Sequence, residues 1–363
     1  MVGQLIKSII GFGKSVVSGC HPLISLYTTR RIISSYTLHK YSEPKDISKV
    51  NIPPELKQKY SNVEISQIGS KKVRDAVVEF TEVLEKEFPK DSLINFYNNI
   101  NEVNIKSNAF MLLVGLEGAY FVKKNRIRYS LFSSIYHELF HMASTVYDKD
   151  KKLAFCGFQQ FVNTPNIFKR NNIGRGINEG YTELLARRCF GKKHKILNNR
   201  LFMAYNFEVG VVEQLEKIVG QEDMKRYYLK ADLMGLINNL KQYASEQDVL
   251  NFITDVDLVN YHSDVQFLLP NKKIKKSIKN IYSFLLKAYV TKLKKQVENG
   301  IITTDEFVEQ SARYLKSLGT SVRVGGHKYK YFNVHSLIDD LEKFIRPRNT
   351  FTYREGGLRP RTI

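Results

Sequence analysis

Two histidines four residues apart, His137 and His141, flank a glutamate in Ser133-Ser134-Ile135-Tyr136-His137-Glu138-Leu139-Phe140-His141-Met142-Ala143. On a helix, positions i and i+4 lie on one face, so both imidazoles can reach a single ion. Zn2+ accepts neutral imidazole nitrogens at about 2.0–2.1 Å, and in catalytic sites it keeps one position for water. Glu138 stands beside the pair and has the chemistry of a general base. The segment must then be helical. Tyr129 to Val146 contains neither Pro nor Gly, and Phe132, Ile135, Tyr136, Leu139, Phe140 and Ala143 recur at helical spacing.

A third ligand is needed, and a second segment offers one. Asn178-Glu179-Gly180-Tyr181-Thr182-Glu183 lies in a second predicted helix, with Ile177, Tyr181, Leu184 and Leu185 as its apolar stripe. Arg187 and Arg188 fall in its last turn, where cations oppose the dipole, and Gly191 stands ready to end it. Glu179 and Glu183 share a face although like charges at that spacing repel. A metal site accounts for both: Glu179 completes a His-His-Glu set, and Glu183 accepts the second N–H of a ligating histidine.

These two segments together resemble the gluzincins, zinc metallopeptidases that combine H-E-x-x-H with N-E-G-x-x-E, especially their aminopeptidase branch. The resemblance implies an α+β zincin-like fold, His137, His141 and Glu179 as metal ligands, Glu138 and Glu183 in catalytic and supporting roles, Zn2+ as cofactor and a peptide or protein as substrate. In the expected reaction the ion lowers the pKa of a water toward 7 and polarises the scissile carbonyl, while Glu138 carries the proton to the leaving amine. The chain departs from the aminopeptidase branch in two ways. Glu179 follows His141 at a longer distance, and the G-x-M-E-N exopeptidase motif is missing, with only Gly115-Leu116-Glu117-Gly118-Ala119 in its place. Two other readings belong to different classes: a binding or regulatory protein that keeps the scaffold without cleaving, and a basic nucleic-acid or membrane module with an incidental H-E-x-x-H.

The elements that position the motifs follow in order. Residues 1–42 lack Asp and Glu and carry Lys7, Lys14, Arg30, Arg31 and Lys40. A poorly ordered or docking N-terminus of a cytoplasmic protein is expected there, with an organelle-targeting segment or a surface-seeking helix as the alternatives. Pro44, Pro53 and Pro54 mark a linker, so the expected divisions are a basic segment and linker over 1–55, a zincin-like domain over 56–265 and a basic helical region over 266–363. A helix is expected from Lys71 to Phe88, buried through Val73, Val77, Val78, Phe80, Thr81 and Leu84, and a second over Ser92–Ile100. Ala109–Val114 and Ala119–Val122 read as strands, Asn125 marks a turn, Ile127–Tyr129 leads into the motif helix, and Ala119–Tyr129 is expected to include the sheet edge that holds extended substrate. Leu153–Val162 reads as one strand before a basic loop, Lys169–Arg175. Helices are expected over Leu201–Ile218, Asp223–Ile237 and Asp248–Ile253. Tyr205, Tyr227, Tyr228 and His262 are the candidates for stabilising an oxyanion.

From Asn271 to Glu298 runs a basic amphipathic helix. Ile274, Ile278, Ile281, Leu285, Tyr289, Leu293 and Val297 form its apolar side, and Lys272, Lys273, Lys275, Lys276, Lys279, Lys292, Lys294 and Lys295 populate the rest. Thr304-Asp305-Glu306 starts another helix, and a third is expected over Ser336–Phe344. The net charge of +20 makes a weak polyanion or membrane-surface contact through the basic helix an expectation. The three cysteines, Cys20, Cys156 and Cys189, form neither a disulfide framework nor a Cys-based zinc pattern. No run of apolar residues reaches membrane-spanning length, and no P-loop or dinucleotide fingerprint is present, so no nucleotide cofactor is expected.

Overall fold

The structure is a computed structural model that describes residues 70–100, 102–113, 117–148, 153–162, 171–193, 205–265, 272–324 and 327–331. The expected N-terminal segment, the linker and the helix over Ser336–Phe344 lie outside the described residues. The architecture is mixed α+β: helices dominate, and the strands are short.

Helix α1 (Lys71–Glu87) and helix α2 (Ile94–Ile100) come first. Val73, Val77, Phe80, Thr81 and Leu84 of α1 are buried as their spacing predicts, but Val78 sits on the exposed side. Strand β1 (Asn104–Ser107) follows, then a single helical turn, Phe110–Leu113. That turn replaces the strand expected over Ala109–Val114, since a short apolar run carries no periodicity to separate helix from strand. Strands β2 (Gly118–Phe121) and β3 (Arg126–Tyr129) flank a turn at Asn125, which takes the left-handed conformation at φ 41°. The sheet order is β1-β3-β2, with β1 parallel and β2 antiparallel to β3. Ile105 and Ile127 point into the core, and β2 is an edge of the sheet among the described residues.

Helix α3 (Ile135–Ala143) carries the H-E-x-x-H motif and is shorter than the Pro- and Gly-free stretch suggests. All of its residues are buried, so it is a core helix. Behind the motif, Tyr136 stacks on Phe190 at 4.0 Å, and Phe140 meets Phe80 edge-on at 4.8 Å. Each such pair contributes about 0.5–1.5 kcal/mol beyond its area. The end of α3 is satisfied from outside: the Asn99 amide donates to the carbonyls of Met142 and Thr145 at 2.8 and 2.7 Å. The chain then leaves as strand β4 (Thr145–Asp148).

The expected single strand over Leu153–Val162 is a hairpin, β5 (Leu153–Cys156) and β6 (Gln159–Val162), turned at Gly157 with φ 53°. With β7 (Asn171–Ile173) these form an antiparallel sheet in the order β4-β5-β6-β7. Helix α4 (Arg175–Phe190) carries Glu179 and Glu183 and ends at Gly191, as its composition predicts.

Helix α5 (Asn206–Val219) matches its expected end. The helix expected over Asp223–Ile237 is two, α6 (Gln221–Leu229) and α7 (Leu233–Leu240). They are separated by buried Ala231 at φ 56° and by Asp232, whose carboxylate accepts from the Gly235 N–H at 2.7 Å. Helix α8 (Glu246–Val265) is far longer than the expected Asp248–Ile253. Helix α9 (Lys272–Glu298) is the basic helix, and Ile274, Ile278, Ile281, Leu285 and Leu293 are buried in the same apolar cluster as α5 and α8. Helix α10 (Thr304–Leu318) opens on a reciprocal capping box between Thr303 and Glu306. A hairpin of β8 (Ser321–Val324) and β9 (His327–Lys330), not foreseen from the sequence, follows. No described helix is long and apolar enough to cross a membrane.

Helix α4 is wedged between neighbours through its glycines. A Cβ on Gly180 would lie 2.6 Å from the Glu208 carbonyl carbon of α5. In a free helix Gly→Ala gains about 1 kcal/mol. Here Gly180→Ala is expected to destabilise by about 1–3 kcal/mol through overpacking, read from the denaturant midpoint. A stabilised variant would contradict the close approach.

Candidate metal centre

Helix α3 presents His137 and His141 one turn apart, and α4 brings Glu179 to meet them. The separations are 3.0 Å between the two Nε2 atoms, 3.3 Å from His137 Nε2 to Glu179 Oε2 and 3.4 Å from His141 Nε2 to the same oxygen. Three donors around one ion at about 2.0–2.1 Å in tetrahedral arrangement stand about 3.3–3.4 Å apart. The three atoms are therefore placed as a metal set, and they can hold one ion. Two nitrogens and one oxygen suit a borderline ion; Ca2+ and Mg2+ favour all-oxygen surroundings.

The remaining atoms of these ligands are also held. His137 Nδ1 donates to Glu183 Oε2 at 3.1 Å, and Arg187 Nε donates to the other oxygen of Glu183 at 2.6 Å. A charged relay of Arg187, Glu183 and His137 thus leaves the His137 Nε2 lone pair facing the centre. Such partners set the tautomer of a ligating imidazole and raise its basicity. Glu179 turns its other oxygen toward Arg175, 3.9 Å away. The start of α4 is anchored by buried Asp257 of α8, whose two carboxylate oxygens accept from the backbone N–H groups of Gly174 and Gly176, each at 2.8 Å. Burial pushes the Asp257 carboxyl up to about 7, against the pull of those donors and of Arg175.

Glu138 is buried at the edge strand. A Cβ on Gly118 would come within 2.7 Å of Glu138 Oε1, so only a glycine lets the carboxylate lie against β2. The Tyr120 backbone N–H donates to the same carboxylate. Burial raises the Glu138 carboxyl above its ordinary range, and the neighbouring histidines pull it back. Of the four oxyanion candidates, Tyr205 stacks on His137 at 5.6 Å and 13°. Tyr228 lies behind the ligands, its hydroxyl 2.7 Å from Thr182 Oγ1. Tyr227 packs against the apolar core, and His262 is buried on α8.

No motif or periodicity in the sequence marks Asp257 or Cys156 as site residues. Cys156 lies with its sulfur 3.4 Å from His141 Nδ1, a contact made by β5 across the sheet. The chain matches no protein-family model, no curated protein and no solved structure.

Although burial favours the neutral ring, Glu179 and Glu183 hold the imidazolium of metal-free His137, raising its pKa to about 9. His141 is raised as well, against its own burial, by Cys156 and Glu179. An unfolded histidine titrates near 6.5. Between about 6.5 and 9 the stripped, folded protein therefore holds protons that the unfolded chain has lost. Its stability is expected to fall as pH rises through that window. A metal ion must displace those protons, so the gap in melting temperature between loaded and stripped protein, at fixed free metal, should widen from pH 6 to pH 9. A gap that narrows with pH would contradict the ligand assignment. Glu183→Ala removes the partner of His137 and is expected to weaken metal affinity by about 10–100-fold. Unchanged affinity in a chelator competition would show that the orientation of His137 has another source.

Proposed function

We propose that the chain is a zinc-dependent peptide hydrolase of the zincin class, with the ligand order of a gluzincin. The observation that carries the reading is the meeting of His137 Nε2, His141 Nε2 and Glu179 Oε2 beside a buried Glu138 on the same helix. When bound, Zn2+ supplies a Lewis acid that polarises a scissile carbonyl and lowers the pKa of a water toward 7.

The protein groups divide the remaining work. His137, His141 and Glu179 hold the ion. Glu183, itself held by Arg187, keeps His137 in the tautomer that offers Nε2. Glu138 takes a proton from the attacking water and delivers it to the leaving amine. Strand β2 gives an extended peptide a backbone edge to pair with, and Glu138 lies against that strand at Gly118. Tyr205, stacked on His137, is the candidate for steadying the developing oxyanion. Contact with polyanions, if the basic helix provides it, rests on the lysines of α9, because the apolar side of that helix is taken up by the core.

The test is digestion of a broad peptide library with and without chelator, by the parent and by Glu138→Gln. The amide keeps the size of the side chain but takes no proton at neutral pH. Zinc content is expected to stay unchanged while cleavage falls by about 10²–10⁴-fold. Cleavage by the Gln variant at the parent's rate would remove Glu138 as the base. A zinc-loaded parent that cleaves nothing would favour a non-cleaving binding scaffold.

A further inference from the structure

We propose that Cys156 is the positioning residue of His141, the hydrogen-bond acceptor that fixes its ring with Nε2 toward the metal, as Glu183 does for His137. The inference rests on the reading of His141 as a ligand through Nε2. In that reading Nδ1 carries the proton and needs an acceptor in a buried place.

Three side chains surround Nδ1, and their other bonds decide among them. Asn178 lies with Nδ2 at 3.4 Å. Its Oδ1 accepts from the Phe158 N–H at 3.1 Å, which fixes the amide with the nitrogen toward His141. An amide nitrogen only donates. Thr182 Oγ1 is 3.5 Å away, beyond the ordinary range for N–H···O. That hydroxyl is already 2.7 Å from the Asn178 carbonyl and 2.7 Å from the Tyr228 hydroxyl. Cys156 Sγ stands at 3.4 Å, a normal separation for the larger sulfur, and it is an acceptor with lone pairs to spare. Its own S–H has the His141 carbonyl at 3.5 Å, and Asn178 Nδ2, 4.0 Å from the sulfur, adds a second donor toward it. Every group in this cluster then has a consistent role, with His141 donating to a thiol.

Position 156 also fits the role. It ends β5 and pairs with Thr145, two residues past the end of α3, so the sheet brings the sulfur under the His141 ring. The two ligands are thus held unequally: His137 by a carboxylate backed by Arg187, His141 by a polarisable sulfur.

The experiment uses the full chain and Co2+ alone as probe, with affinity read by chelator competition and geometry by the visible absorption of the bound ion. Cys156→Ala is expected to bind about 10–100-fold more weakly, with an altered spectrum. Cys156→Ser restores an acceptor and is expected to stay within about threefold of the parent, well short of the loss set by removing the partner. Melting of the stripped variants separates loss of ligand control from loss of fold. Should the Ala variant fail to fold, Cys156→Val fills the space without an acceptor and takes its place. Parent-like affinity and spectrum in Ala or Val overturn the proposal, as does equal loss in Ser and Ala. A parent that binds no Co2+ overturns the reading of the centre itself, and the role of Cys156 with it.

Discussion

Two buried carboxylates, a third that is partly buried and two buried imidazoles crowd one small volume between α3 and α4. Glu138, Glu179 and Glu183 cannot all stay ionised in a low-dielectric interior without positive charge close by. Arg187 answers for Glu183, and Arg175 stands near Glu179. Without a metal the histidines must take up protons, which is why His137 is driven upward by its carboxylates despite its burial. A divalent cation meets the same need with better geometry, because the three facing donor atoms already stand at the spacing that a tetrahedral ion demands. The remaining features of the fold keep this unfavourable cluster together.

That containment is a matter of packing. The aromatic group of Phe80, Phe140, Phe190 and Tyr136 holds the far side of α3. Helix α4 is fixed in height by the carboxylate of Asp257 at its start and by the close approaches at Gly176 and Gly180. Glu179 lies between those two glycines, so a small shift of α4 along its axis would carry the carboxylate out of reach of both histidines. The glycine at position 180 thus does two things in one segment: it ends the choice of where α4 can lie, and it leaves Glu179 on the face that looks at α3.

Much of this centre was legible in the sequence, because its parts are local. The spacing of His137 and His141, and of Glu179 and Glu183, is a property of helices, and the structure brings His137, His141, Glu179 and Glu183 together as that spacing implies. Misreadings arose where local signals were degenerate. Phe110–Leu113 is too short and too uniformly apolar to separate a helical turn from a strand. Gly157 divides Leu153–Val162 into a hairpin, and buried Ala231 breaks a helix at a residue with no intrinsic tendency to do so. Cys156 and Asp257 reach the site across 15 and 81 residues. Such contacts exist only after folding, and no periodicity announces them. Tyr205 was one of four equal candidates until the stacking on His137 set it apart.

The central proposal is that the group His137, His141 and Glu179, which can hold one metal ion, selects zinc. Elemental analysis of the purified full chain, beside His141→Ala and Glu179→Ala prepared identically, tests it most directly. About one zinc per parent chain and a severe loss in both variants is the predicted result. Undiminished zinc in the two variants, or a parent that carries iron in place of zinc, would contradict it.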